Sequence, residues 1–81
     1  MLTVDIISTW YKGIKLQAIG SFGCKYTKVV ITNDGKQWNC GCRTIRDAND
    51  YFASHQEIKK MVLYIYHRKK QEFEVCKYYE R

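Results

Sequence analysis

An α+β fold is what this sequence predicts: a small antiparallel β-sheet of three or more strands, covered on one face by one or two helices. Three observations carry that expectation. All five glycines fall between Gly13 and Gly41, and the chain has no proline. Cys24 to Thr32 is a run rich in β-branched residues that ends on Asn33-Asp34-Gly35-Lys36. Thr44 then opens a stretch with helical spacing. With 81 residues the chain holds one domain, 1–81, and one modest core. Residues 1–43 form its strand-rich half and 44–81 its helix-rich half.

Leu2, Val4 and Ile6 alternate with Thr3 and Asp5, which fits a first strand or strand-like arm. Tyr11-Lys12-Gly13 reads as a turn. Ile14, Leu16 and Ala18 then alternate with Lys15 and Gln17. Gly20-Ser21-Phe22-Gly23 reads as loop, and Cys24–Thr32 as a strand. Asp34-Gly35 suits a two-residue type I′ hairpin turn, whose central positions both need positive φ. Counting outward pairs Asn33 with Lys36, Ile31 with Trp38, Val29 with Cys40 and Thr27 with Cys42. One face is then Thr27, Val29, Ile31, Trp38, Cys40 and Cys42, expected in the core. The other is Tyr26, Lys28, Val30, Thr32, Gln37, Asn39 and Arg43, expected to be wet.

Thr44-Ile45-Arg46-Asp47 matches a capping box at a helix start. Ile45, Ala48 and Phe52 share one stripe that can cover the apolar sheet face, and Ser54-His55 is a candidate break. Two readings stay open for the tail. As helix, Ile58, Met61, Val62, Ile65, Tyr66, Phe73, Cys76 and Tyr79 fall on one face. As strands, Val62–Tyr66 and Phe73–Val75 pair across Arg68-Lys69-Lys70-Gln71. That turn lacks Gly, Asn and Asp, so the helix is preferred.

The net charge is +6. Residues 1–43 hold six Lys/Arg against two Asp, and residues 44–81 eight against six acids, so the strand half is the more lopsided. A basic excess favours phosphate backbones, acidic proteins or anionic surfaces, although solubilising lysines give the same excess. The N-terminus lacks the basic-then-apolar pattern of a signal peptide. The longest apolar run, Met61–Tyr66, is too short to cross a bilayer. The expectation is a cytoplasmic protein with reduced thiols and no membrane partner.

No catalytic motif stands out, and the chain is expected not to be an enzyme. Glu72 and Glu74 sit among basic residues as a solvated face. Gly20–Gly23 is too short to cradle phosphate and leads into a strand. Cys24, Cys40, Cys42 and Cys76, with His55 and His67, would be enough ligands for zinc, but the only close pair is C-x-C. The counted register also puts Cys24 on the face opposite Cys40 and Cys42. Small core residues are the preferred reading for Cys40 and Cys42, and neither a metal nor a cofactor is expected.

Basic and aromatic residues interleave on the strand side. Lys12, Lys15, Lys25, Lys28 and Arg43 can neutralise phosphates, while Tyr26, Gln37 and Asn39 can lie near bases or sugars. The Tyr11-Lys12-Gly13-Ile14-Lys15 segment is similar to the opening Tyr-Arg-Gly-Val-Arg of the plant ethylene-response-factor (APETALA-type) DNA-binding domain, which also occurs beside phage homing nucleases. Phe22-Gly23 with Lys25-Tyr26 resembles that family's Trp-Gly-Lys-Trp. Gly35-Lys36, Trp38, Gly41 and Thr44 to Ala48 resemble its third strand and helix start. The resemblance spans about residues 11–54. It implies three strands and a helix, with the sheet docked in the major groove of duplex DNA through Lys12, Lys15, Lys25 and Lys28.

The function expected first is therefore a small, basic, non-enzymatic nucleic-acid-binding module, for duplex DNA through the polar sheet face. The alternative is a small inhibitor or adaptor of the kind encoded by phages and mobile elements, of anti-defence or anti-CRISPR type. It would bind a protein or nucleoprotein partner with an acidic surface. Tyr64, Tyr66, Tyr78 and Tyr79 would then form the interface, and self-association through the same tail would give a homo-oligomer.

Overall fold

The structure, a computed structural model, describes residues 8–18 and 24–81. The expected strand at Leu2–Ile6 and the loop at Gly20–Gly23 lie outside them. The fold is α+β, and the described residues form six strands and one helix: β1 Ser8–Tyr11, β2 Ile14–Gln17, β3 Tyr26–Thr32, β4 Gln37–Cys42, α1 Ile45–Ser54, β5 Ile58–His67 and β6 Glu72–Glu80. A four-stranded antiparallel sheet runs in the order β4-β3-β5-β6, and β1 and β2 pair with each other. The helix covers one face of the sheet, packing Ala48 on Val30, Cys42, Met61 and Leu63. The β1–β2 hairpin covers the other face, where Ile14 and Leu16 meet Val29, Val62 and Tyr64.

The turn read at Tyr11-Lys12-Gly13 closes that hairpin. Tyr11 pairs with Ile14, and the two turn residues have φ of 50° and 79°. Positive φ at both positions is what a type I′ turn needs, and its twist suits the flanking strands. Tyr64 ties the hairpin down. It is fully buried and its hydroxyl donates to the Gln17 carbonyl at 2.9 Å.

The β3–β4 turn corrects the expected register. The loop is three residues, Asn33-Asp34-Gly35, not two. The Thr32 N–H donates to the Lys36 carbonyl at 2.9 Å and the Gly35 N–H to the Thr32 carbonyl at 3.1 Å. Gly35 takes φ 88°, as in a type I turn followed by a left-handed residue. Thr32 decides this: its hydroxyl accepts from the Lys36 N–H at 3.1 Å and donates to the Asp34 carboxylate. The result is a one-residue slip, with Val30 opposite Trp38, Lys28 opposite Cys40 and Tyr26 opposite Cys42. A slip of one exchanges the faces of β4 relative to β3.

The β3 part of the expected wet face is not wet, whereas Gln37 and Arg43 of that face are exposed. Lys28 and Val30 are buried beneath the helix and Val29 beneath the hairpin, and Thr27 and Thr32 are buried as well. Trp38, expected in the core, is 37% exposed. The helix itself starts as read, with the Asp47 N–H donating to the Thr44 hydroxyl at 3.1 Å. It ends at Ser54. Ala48 and Phe52 cover the sheet, but Ile45 stays 40% exposed.

The tail is a hairpin, not the preferred helix. Lys60–His67 pairs with Glu72–Glu80, with a register shift between Leu63 and Tyr64. Met61 and Leu63 face the helix while Val62 and Tyr64 face the β1–β2 hairpin, so the run is apolar on both sides. A doubly buried strand shows no alternation, and its spacing passes for a helical stripe. The turn works without glycine because Gln71 takes φ 53°.

Three outcomes follow for stability. Gln71→Gly removes a left-handed strain that costs a non-glycine residue about 1–2 kcal/mol, partly offset by greater freedom in the unfolded chain, so urea denaturation should show a net gain of roughly 0.5–1 kcal/mol. Tyr64→Phe leaves the Gln17 carbonyl without its donor and should cost about 1 kcal/mol in the same assay. Burial pushes the Tyr64 phenol above its ordinary value. Its stabilising contribution is thus complete below about pH 10 and lost as the pH rises through the raised value. Wild type should lose stability with rising alkaline pH more steeply than Tyr64→Phe.

Candidate nucleic-acid interface

Side chains on β1 and β2 alternate between the sheet and solvent. Tyr11, Ile14 and Leu16 turn inward, which leaves Trp10 and Lys15 directly opposite each other on the outer face. Trp10 is 67% exposed, the most of any large hydrophobic residue described. Trp10 also lines a groove of about 370 Å³ between β1 and β6, with Thr9, Tyr11, Leu16, Glu72, Phe73 and Val75. At the tip, the Lys12 ammonium lies 5.2 Å from the Tyr78 ring centroid and 5.8 Å from that of Tyr11. Those two rings meet edge-on at 5.9 Å. Cation–π contact of this kind holds a lysine without neutralising it.

The residues expected at a nucleic-acid surface do not share one face. Lys12 and Lys15 belong to the hairpin. Lys25 precedes β3 and lies over the Tyr26 ring at 5.4 Å, and Tyr26 is half-buried against the helix-side core. Lys28 is 7% exposed. Its ammonium donates to the Gly41 carbonyl at 3.2 Å and lies 4.3 Å from the Tyr51 ring centroid, under the helix. It is a packed structural lysine and not an exposed contact. Gln37 is exposed on β4, the half-buried Asn39 donates to the Gln17 side chain at 3.4 Å, and Arg43 is exposed just beyond β4.

The tyrosines expected to form an exposed protein interface are corrected as well. Tyr64 and Tyr79 are buried. The Tyr79 hydroxyl donates to the Asn49 side chain, tying the tail to the helix. Tyr66 packs on Phe73 at 4.8 Å between centroids, and Tyr78 on Tyr11. The period read as a helical face concealed that these rings fill the two sides of a sheet.

The slipped register also changes the cysteines. Cys40 and Cys42 lie opposite Lys28 and Tyr26 on the helix side, where burial first, and Cys24 last among the charges, push the Cys42 thiol up. The face separation expected from the sequence is gone, yet among the described residues no three His, Cys, Asp or Glu side chains are grouped to hold a metal. Burial is the main cause that pushes the Cys42 and Cys76 thiols up, so both are poor nucleophiles. Ser54 and His55 are 3.2 Å apart, but the Ser54 hydroxyl donates to the Asp50 carbonyl at 2.8 Å. The His55 Nδ1 lies 2.8 Å from the Tyr51 carbonyl, which can only accept. That geometry leaves no nucleophile poised beside a base.

Lys59 and Lys60, passed over in the sequence, come to the same end of the sheet as Lys12. With it they line a cleft of about 340 Å³ between the β1–β2 turn and the β3–β4 loop. Trp10 was equally legible in retrospect: a two-residue turn at Lys12-Gly13 pairs it with Lys15, and the burial of Leu16 turns both outward. No protein-family model, curated protein or solved structure matches this chain.

Lys28→Ala should cost about 1–3 kcal/mol in urea denaturation, because it removes a buried stem and leaves the Gly41 carbonyl without its donor. Any ligand affinity of the folded variant should equal that of wild type.

Proposed function

We propose that this chain is a small, non-enzymatic nucleic-acid-binding module whose contact surface is the outer face of the β1–β2 hairpin. One observation carries the reading: an indole 67% exposed, set directly across from Lys15 and two residues from Lys12, in a chain of net charge +6. An aromatic ring flanked by lysines offers a stacking platform for a base and cations for the adjoining phosphates. Among the described residues the only Lys or Arg ion pair is Lys36 with Asp34, at 3.8 Å. Lys12 and Lys15 can therefore offset phosphate charge without first breaking an ion pair.

The polymer favoured is one with unpaired bases. In a duplex the base faces are already stacked and closed to Trp10. Duplex DNA is the competing polymer, since a two-stranded ribbon has the width that enters a major groove. Either way the contact moves from the sheet face expected from the sequence to the hairpin, because both faces of β3 are covered.

A second reading, a protein-binding inhibitor or adaptor of phage type, draws support from β4. It is an edge of the sheet, and Gln37–Cys42 carries no charged side chain. The other edge, β6, carries Glu72, Glu74, Lys77 and Glu80. Uncharged edges accept added strands more readily than charged ones. In that case the partner would be an extended protein segment, and Asn39→Lys would weaken the complex while leaving nucleic-acid affinity intact.

The test is a fluorescence-anisotropy titration with single-stranded DNA, duplex DNA and RNA at two salt concentrations. Affinity should fall as salt rises, and Trp10→Ala should lose about 1–3 kcal/mol for each base stacked on it. Absence of binding to all three polymers at low salt would reject the module reading. Full affinity in Trp10→Ala would reject the hairpin as the contact surface.

A further inference from the structure

We infer that the cleft between the β1–β2 turn and the β3–β4 loop is a binding site for a phosphate group, held by Lys12, Lys59 and Lys60. Thr32, Asn33, Gly13 and Gly35 complete much of its wall, and among the described residues no acidic one lines it. The groove on the other side of the same loop is lined by Asp34 and Glu57 together with Lys36 and Trp38. One loop thus separates a basic cleft from a mixed, more acidic one. That contrast is not what a uniformly solubilising coat of lysines would give.

The acids nearest the basic cleft are engaged elsewhere. The Asp34 carboxylate accepts from the Thr32 hydroxyl and the Lys36 N–H and pairs with the Lys36 ammonium. Glu80 stands opposite Lys60 across β5 and β6, but its carboxylate accepts from the Tyr78 hydroxyl at 3.1 Å and makes no ion pair with Lys60. Glu57 faces the other groove, and its carbonyl accepts from the Asn33 N–H at 2.9 Å. Among the described residues Lys59 and Lys60 make no ion pair.

The three lysines come from backbone that is held in place. Lys12 is set against Tyr11 and Tyr78. The Lys59 carbonyl accepts from the Arg81 N–H at 3.0 Å, and the Arg81 guanidinium donates to the Ile58 carbonyl at 2.8 Å and the His55 carbonyl at 3.1 Å. Lys60 sits in the ladder between Ile31 and Glu80. Like charges gathered at one cleft repel in the empty protein, and an anion that binds there relieves the repulsion.

The identity of the phosphate rests on the nucleic-acid reading. Trp10 is two residues from Lys12, the first residue of the β1–β2 turn, so their Cα atoms are at most about 7 Å apart, on the scale of neighbouring phosphates on a strand whose base stacks on the indole. A free phosphate compound would present the same chemistry, and the two sources separate experimentally.

Amide NMR of the full chain, titrated with inorganic phosphate against a chloride control, reads the cleft directly. Saturable shifts at about millimolar phosphate, confined to Gly13, Asn33, Gly35, Lys59 and Lys60, are expected. Lys59→Gln with Lys60→Gln should weaken them roughly tenfold. No saturable shift, equal shifts in the Arg68–Gln71 turn, or an unchanged response in the double variant would overturn the site. A single-stranded oligonucleotide is then added to the phosphate-loaded protein. Displacement of phosphate from these amides supports the site as part of the strand surface. Phosphate bound there with no oligonucleotide binding keeps the site, assigns it to a free phosphate compound and rejects the module reading. Oligonucleotide binding that leaves phosphate on the cleft amides keeps the site, assigns it to a free phosphate compound and keeps the hairpin as the strand surface.

Discussion

The whole arrangement depends on β3 and β5 being paired at the centre of the sheet and buried on both of its faces. Their main-chain groups are satisfied by the ladders to β4, to each other and to β6. Their side chains then need two covers, one for each face. The helix supplies one through Ala48 and Phe52, and the β1–β2 hairpin supplies the other through Ile14 and Leu16. A hairpin of two four-residue strands is too short to be stable by itself. It stays because Leu16 is fully buried and because Tyr64, deep in the sheet, gives its hydroxyl proton to Gln17.

Double coverage also explains the polar residues of β3. Thr27, Lys28 and Thr32 are buried, and among the described residues no buried side-chain nitrogen or oxygen lacks a partner. Lys28 is the costly one. Its charge is met by one carbonyl and the face of Tyr51, while its stem packs between sheet and helix. A lysine spent in this way cannot serve as a contact. The surface left for recognition is what lies outside the two covers: the outer face of the hairpin, the loops at the ends of the sheet and its two edges.

How far the sequence revealed this differs from element to element. The β1–β2 turn, the strand at β3 and the Thr44 cap were each legible because a local rule governs them: paired positive φ, β-branching, a hydroxyl at a helix start. The β3–β4 register was not, because Asp-Gly serves two turn types. The choice between them was made by the Thr32 hydroxyl, one residue outside the apparent turn. That single step exchanged the faces of β4 and with them the places of Trp38, Cys40 and Cys42. The tail was misread for a related reason. Ile58 to Tyr66 contributes apolar side chains to both faces, so it lacks the period that marks a strand, and the left-handed Gln71 supplied a turn that composition did not advertise. Site residues inherited these errors. Lys28 and Tyr64 have the residue types of surface contacts, and topology takes both into the interior.

Charge alone does not select a binding surface on this molecule, because it accumulates at both ends of the sheet. Arg68, Lys69 and Lys70 crowd the β5–β6 turn as densely as Lys12, Lys59 and Lys60 crowd the opposite end. The two ends differ in what accompanies the cations. At the β5–β6 turn the adjoining rings are committed, Tyr66 to Phe73, and His67 to a 2.9 Å contact with Glu74. Along the β1–β2 hairpin an indole stands open beside a groove, and a cleft without acids lies within a few residues of it. Solubility needs cations anywhere on a surface, whereas recognition of a strand needs cations spaced about an unoccupied ring. Only the hairpin end meets the second requirement among the described residues, and it meets it because packing on Tyr64 fixes which way Trp10 must face.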